Sequence, residues 1–314
     1  MSYLPPLEEL DFKVAVPCSS GSHASWPAGI CSKCQPSAIT LSLQSYRMVD
    51  HVEYSNPAII EQFIDFWRKQ GGAQRFGYLI GRYEAYDLVP LGIKAVIEAI
   101  HEPPQAGDVD GIEVNMEWPD LAKIEHLAQT CGMKIVGMVY TDLLHDPDSK
   151  EGKVICKRHA DSYFLSSVET IFSAKLQQAR PNPSRFCLSG KFSSKFVTCV
   201  ITGNEKGEIE VQAYQTSDQA MALVDADLIE ASVNPGIVRV KKEEDPAQMP
   251  VSQNGSSSTA ALTGLTKRYV PEVFYRYKNE YKIQVQESAK PCFPVDYLLV
   301  SVCPHLTYIS YCRD

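Results

Sequence analysis

Residues 74–100, QRFGYLIGRYEAYDLVPLGIKAVIEAI, decide the fold. Phe76–Tyr83 and Leu91–Ile100 are rich in Ile, Val, Leu and Tyr and are separated by a short polar connection, so two paired strands are expected. Downstream, Leu121, Ile124, Leu127, Ala128 and Cys131 recur at helical spacing within Pro119–Cys131, ahead of Gly132. Lys134–Thr141 then reads as a buried strand. The β-β-α-β order places the chain in the α+β class.

Working outward, Asn56–Gln70 reads as a helix: Asn56 caps it, Pro57 suits its first turn, and Ile59, Ile60, Phe63, Phe66 and Trp67 form one apolar face before Gly71-Gly72. Residues 142–161 are polar and turn-rich and read as an insertion. A helix over Ser167–Gln178 follows, in which Ser166 and Glu169 have the Ser-x-x-Glu spacing of a capping box. Phe196–Thr202 and Glu208–Thr216 flank a Gly203–Gly207 turn as a hairpin, with a helix over Ser217–Ala226 behind it. Lys241–Lys267 is polar and poor in aromatics, which predicts a mobile loop. Tyr281–Val285 and Val295–Val302 are strand candidates that return to the same sheet.

At 314 residues and 44 % hydrophobic content the chain can bury a real core. A formal charge of −8 argues against nonspecific nucleic-acid binding, which needs clustered Lys and Arg. The ten cysteines are unevenly spaced, which favours a reducing compartment over a disulfide framework. There is no signal-peptide pattern at the N-terminus and no apolar run of about 18 residues, so export and membrane insertion are not supported.

The stretch from Cys18 to Cys34 is rich in Gly, Ser and Pro, with no periodicity to pack, so a metal is the economical way to hold it. Cys18-x4-His23-x7-Cys31-x2-Cys34 supplies three thiolates and an imidazole, the ligand set of a closed tetrahedral zinc site. Four protein ligands leave no position for water, so one structural Zn2+ is expected rather than a catalytic one. Cys156-x2-His159 has no partner pair nearby and reads as an ordinary loop cysteine with an exposed histidine.

GICSKCQPSAITL, MVDHVEYSN, QRFGYLIGRY, LGIKAVIEAIHEPPQ, DSYFLSSVET, SSKFVTCVI and FPVDYLLV resemble, segment after segment, the nuclear protein localisation protein four family, from about Cys18 to Val302. The resemblance implies a small zinc finger over 1–45, carrying the ligands Cys18, His23, Cys31 and Cys34. It implies next, over 46–314, a catalytically inactive MPN (JAMM-like) α/β sandwich with insertions near 142–161 and 241–267. It further implies a ubiquitin-binding adaptor of a hexameric AAA ATPase of the valosin-containing protein type, with a ubiquitin fusion degradation protein 1 type partner. Such an adaptor serves protein quality control and endoplasmic-reticulum-associated degradation. It works in cytoplasm and nucleus, at the periphery of the endoplasmic reticulum and nuclear envelope. The family's N-terminal ubiquitin-like region, further zinc finger and C-terminal helical domain are not found, which suggests a fragment.

Active JAMM metalloproteases hold zinc with two His and an Asp and use a Glu as base; the chemistry needs an open coordination position beside that base. Alignment through the strands places Gln74 where the Glu would be, Tyr140 and Asp142 where the two His would be, and Glu169 where the Asp would be. Two carboxylates without imidazole make a poor zinc site, Gln74 cannot act as a base, and Glu169 has a plain capping role. His145 and His159 read as solvated loop histidines. Three readings stand: an adaptor whose groove holds an extended ubiquitin segment, an isopeptidase with an unorthodox metal site, and an architectural zinc scaffold. Tyr83, Tyr86 and Phe164 are candidate anchors for the first.

Overall fold

The computed structural model describes residues 6–115, 118–147, 149, 152–243 and 268–302. The elements run β1 (Ile39–Leu41), β2 (His51–Tyr54), α1 (Ala58–Lys69), β3 (Phe76–Tyr86), β4 (Gly92–His101), β5 (Gln105–Gly107), β6 (Ile112–Val114), α2 (Leu121–Thr130), β7 (Lys134–Asp142) and α3 (Ser167–Gln178). They continue with β8 (Val197–Gly203), β9 (Ile209–Thr216), α4 (Asp218–Asp225), β10 (Ile229–Ala231), β11 (Ile237–Val240), β12 (Val273–Lys278), β13 (Gln284–Ser288), β14 (Cys292–Pro294) and β15 (Leu299–Ser301). The fold is mixed α+β, as the periodicity requires.

A seven-stranded sheet in the order β15-β9-β8-β7-β3-β4-β2 is its centre. The expected hairpin is its nucleus: β3 pairs antiparallel with β4 on one side and with β7 on the other. The register shifts between Ile80 and Gly81. A side chain at Gly81 would put its Cβ 1.9 Å from the Val96 carbonyl oxygen, so only glycine lets the two strands approach here.

Alternation along the strands, interrupted in β7 by an extra residue at Val136 where its register with β3 shifts, fills a layer on each face. Val136, Val139, Val197, Cys199 and Ile201 turn to one side and pack with Phe63, Ile64 and Trp67 of α1. Ile135, Met138, Tyr140 and Val200 turn to the other and pack with Leu165 and with Leu176 of α3. The inner strand β8, between β9 and β7, is buried along its whole length, which explains why its sequence does not alternate with charges.

A second core forms around α4, β1, β10, β11, β12 and β14. Here β1 pairs in parallel with β12, so Ile39 and Leu41 are buried against this body although they lie within residues 1–45. β12 was not foreseen, and the strand expected over Tyr281–Val285 begins later and does not return to the large sheet, since it pairs with β12 in a separate three-stranded sheet with β1. Asn279 Oδ1 accepts from the backbone N–H groups of Tyr281 and Ile283, at 3.1 and 3.0 Å, which turns the chain before β13 starts. The strand expected over Val295–Val302 opens instead as a one-turn 3-10 helix, Val295–Leu298, and only then joins β9 through β15. The first helix starts at Ala58 with Pro57 as its N-cap and no side-chain cap bond, so Asn56 is not the cap expected; its Oδ1 accepts from the Ala58 N–H at 2.9 Å one residue earlier in the turn. Of the expected mobile loop, residues 244–267 lie outside the described residues.

Candidate functional site

The loop over Cys18–Cys34 has no regular secondary structure, yet its four predicted ligands converge. Their donor atoms all lie within 4.8 Å of one another. Cys18 Sγ is 3.6 Å from Cys31 Sγ, Cys31 Sγ is 3.8 Å from Cys34 Sγ, and Cys34 Sγ is 3.5 Å from His23 Nε2. Ligands about 2.0–2.3 Å from a tetrahedral zinc ion stand about 3.5–3.8 Å apart, so this donor set fits that ion with little adjustment.

Local groups orient the donors. His23 Nδ1 lies 2.7 Å from the Ala24 carbonyl, which fixes the ring with Nε2 toward the sulfurs. The Cys31 N–H donates to Cys34 Sγ at 3.2 Å, closing the Cys-x2-Cys knuckle. A Cβ at Gly29 would meet His23 Nδ1 at 2.8 Å and the Ala24 oxygen at 2.9 Å, so glycine keeps the turn open for the ring. The backbone at Lys33 and the Ser20 hydroxyl pull the Cys31 thiol down to about 6, toward the thiolate that a metal needs. Among the described residues this is the one such cluster of His, Cys, Asp and Glu, and all eight described cysteines are free of disulfides. Cys156 instead donates to the Arg158 carbonyl, at 3.8 Å, and gathers no ligand set with His159.

The second constellation is built on the sheet. Gln74, at the entrance to β3, is 3 % exposed and acts as a bracket: its Nε2 donates to the carbonyls of Leu143 and Val109, at 2.7 and 2.9 Å, and its Oε1 accepts from the Leu143 N–H. Tyr140 and Asp142 lie at the end of β7, and Glu169 in the first turn of α3. Glu169 completes the predicted capping box, accepting from the Ser166 N–H at 2.7 Å while Ser166 Oγ accepts from the Glu169 N–H.

Between the two carboxylates sits a side chain that sequence reasoning missed. Arg158 Nε donates to Asp142 Oδ2 at 2.8 Å, Nη1 to Glu169 Oε2 at 2.9 Å, and Nη2 to Glu169 Oε1 at 2.7 Å. Nη1 also donates to the Phe164 carbonyl at 2.7 Å, and Lys157 Nζ reaches Asp142 Oδ1 at 3.0 Å. Burial on its own would raise the Asp142 carboxyl, but Arg158 and Lys157 more than offset that and hold it below the usual carboxylate range. Burial and then the Glu169 charge push the Tyr140 hydroxyl well above its ordinary value, so it stays a neutral O–H. Residues 142–161 are therefore more than an insertion. His145 bridges to Val154, the Ile155 N–H returns to the Leu144 carbonyl at 2.8 Å, and the following residues carry Lys157 and Arg158 back across Asp142. The adjacent Lys157-Arg158 pair was the available signal. His145 is not simply solvated either, since it stacks on Trp67 with centroids 4.2 Å apart.

Each aromatic anchor candidate has an internal partner. The Tyr83 hydroxyl donates to the Lys195 carbonyl at 2.7 Å, Tyr86 stacks on His51, and Phe164 lies against Tyr214. Chemically, Gln74, Tyr140, Asp142 and Glu169 offer two carboxylates already neutralised by the Arg158 guanidinium and the Lys157 ammonium, no imidazole and no base.

A sequence model of the NPL4 family matches residues 75–308, and a second model, for the zinc binding region of that family, matches residues 1–71. The chain is 50 % identical over 301 residues to the Nuclear protein localization protein 4 of Schizosaccharomyces pombe, an alignment covering 96 % of this chain and 48 % of that protein. It is 49 % identical to the protein of the same name from Debaryomyces hansenii, covering 96 % of this chain and 49 % of the relative. For that from Saccharomyces cerevisiae the identity is 48 %, over 96 % and 48 % of the two chains. The chain thus spans about half the length of the curated relatives it matches.

Proposed function

The chain belongs to the NPL4 family, and from that premise we propose that it is the zinc-finger and MPN-like part of a non-catalytic, ubiquitin-binding adaptor that docks on a hexameric AAA ATPase. It presents ubiquitylated substrates for unfolding, beside a ubiquitin fusion degradation protein 1 type partner, in cytoplasm and nucleus and at the periphery of the endoplasmic reticulum. The zinc module docks on the ATPase, and the groove of the larger body receives an extended ubiquitin segment by strand addition. Family membership is what supports the partners.

One observation carries the non-catalytic half of the reading: the Arg158 guanidinium lies between Asp142 and Glu169, the positions that align with zinc ligands in active JAMM enzymes. A catalytic ion would have to displace a buried cation held by four hydrogen bonds and would then find two carboxylates, no imidazole and no base. Gln74 is spent on the backbone of Leu143 and Val109. This weighs against a metallo-deubiquitinase with an unorthodox site.

Two assays test the proposal. Co-sedimentation of the chain with the ATPase hexamer and with ubiquitin chains, each separately, should show both interactions. Incubation with ubiquitin dimers of several linkages, with added zinc and with a chelator control, should leave them intact; chelator-sensitive release of monoubiquitin would return the enzyme reading.

A further inference from the structure

Arg158 is charged and 3 % exposed, a combination that persists in folded proteins only when the charge is paired and its donors are satisfied. Both conditions hold. Four of its five guanidinium N–H bonds have acceptors: one on Asp142, two on Glu169, and one on the Phe164 carbonyl. With Lys157 the cluster holds two carboxylates and two cations, so its formal charges cancel. The contact with Glu169 is the two-pronged, parallel geometry that a planar guanidinium offers and that neither an ammonium nor a metal ion reproduces. Beside it, Tyr140 is 7 % exposed, with its hydroxyl next to the Glu169 charge.

We propose that Asp142 and Glu169 form a guanidinium socket, with Arg158 as its resident ligand, and that this occupancy positions residues 157–166 across the sheet. Three separate parts of the chain meet on one cation: the end of β7 through Asp142, the first turn of α3 through Glu169, and the connecting segment through Phe164. Arg158 also lies 5.3 Å from the Tyr163 ring and 5.7 Å from the Tyr140 ring, so its planar face is packed as well as its edge. Glu169 passes the constraint on, because the same carboxylate caps α3 at the Ser166 N–H. The socket is a positioning device that works without metal, and it stands whether or not the adaptor reading does.

Chemical rescue tests it. In the whole chain, Arg158→Ala should lower the melting temperature by on the order of 10 °C, since removing one partner of a buried pair leaves the other uncompensated. Amide exchange across 157–166 should rise by about tenfold or more. Guanidinium chloride at a few millimolar, far below denaturing concentrations, should restore much of both, whereas equal sodium chloride or zinc should not. Arg158→Lys should behave nearer to Arg158→Ala than to the parent, because an ammonium cannot span Glu169. If Arg158→Ala is too unstable to purify, Arg158→Met should be compared with the triple variant Asp142→Asn, Arg158→Met, Glu169→Gln. The triple variant should fold and melt close to the parent, because it leaves no buried charge unpaired and Lys157, whose side chain is 26 % exposed, can reach solvent. Rescue no better with guanidinium than with sodium chloride would overturn the proposal. So would a triple variant no more stable than Arg158→Met, and protection of Arg158→Ala by zinc would make the pair a metal site.

Discussion

At residues 18–34, three thiols and an imidazole converge with almost no apolar layer behind them; at residues 142–169, two carboxylates converge beside a core that includes Tyr140, Leu165 and Leu176. Both places gather donor atoms that suit one cation, the first from a single 17-residue stretch and the second from separate elements of the fold. The first has soft donors at the separations of a tetrahedral ion and no cation of its own among its side chains. The second has hard donors and a guanidinium supplied by the same chain. Donor chemistry thus determines what holds each region. It also determines how each fails: one by loss of an ion, the other by mutation or by protonation of its carboxylates.

The widest separation between the two should come from the metal. Structural zinc sites contribute apparent energies of about 10 kcal/mol or more. Chelation, or Cys31→Ser or Cys34→Ser, should therefore unfold the module up to about residue 38 and leave the sheet folded, because Ile39 and Leu41 belong to the second core. Amide exchange mapped along the chain checks this; loss of protection in β3, β7 and β8 as well would show that the two regions share one source of stability.

Next in size is the converse experiment. Leu79 is fully buried between β4 and β7, so Leu79→Ala should cost about 2–5 kcal/mol in denaturant unfolding of the large body. Bound zinc should not change. A variant that also sheds its zinc would couple what the comparison separates.

Acid should distinguish the regions more gently. The Asp142 carboxyl is held below its ordinary value of 3.8, so its contribution is fully present above that pH and is lost as pH falls through the lower folded value. The melting temperature of the large body should decline below about pH 4. Asp142→Asn should flatten that decline, and an unchanged acid limb in this variant would contradict the assignment. The smallest effect is expected far from both clusters. Ser217 Oγ accepts from the Ala220 N–H at 3.1 Å to cap α4, and Ser217→Ala should cost about 1 kcal/mol without altering zinc content or acid stability.

The zinc cluster was readable because its four ligands fall within 17 consecutive residues in a stretch unable to pack, so spacing alone carried the chemistry. The sheet was readable where the chain pairs with its near neighbours, as in β3 with β4 and β8 with β9. It was not readable where pairing spans most of the chain: β1 meets β12 from more than 200 residues away, and no local pattern announces that partner. Arg158 was hidden for a related reason. It lies 16 residues from Asp142 and 11 from Glu169, in a polar stretch whose composition matches a solvated loop, and only the fold turns it inward. The capping box showed the opposite behaviour, because an i, i+3 pair is local and survives folding unchanged.

Counting tightly held metal after dialysis, in the parent chain and in Cys34→Ser, tests the division of labour most directly. The account predicts one zinc ion per chain in the parent and none in the variant, since among the described residues only Cys18, His23, Cys31 and Cys34 form a ligand set. A second ion per chain, retained when Cys34 is changed, would place a metal where Arg158 is argued to serve as the cation and would contradict the account.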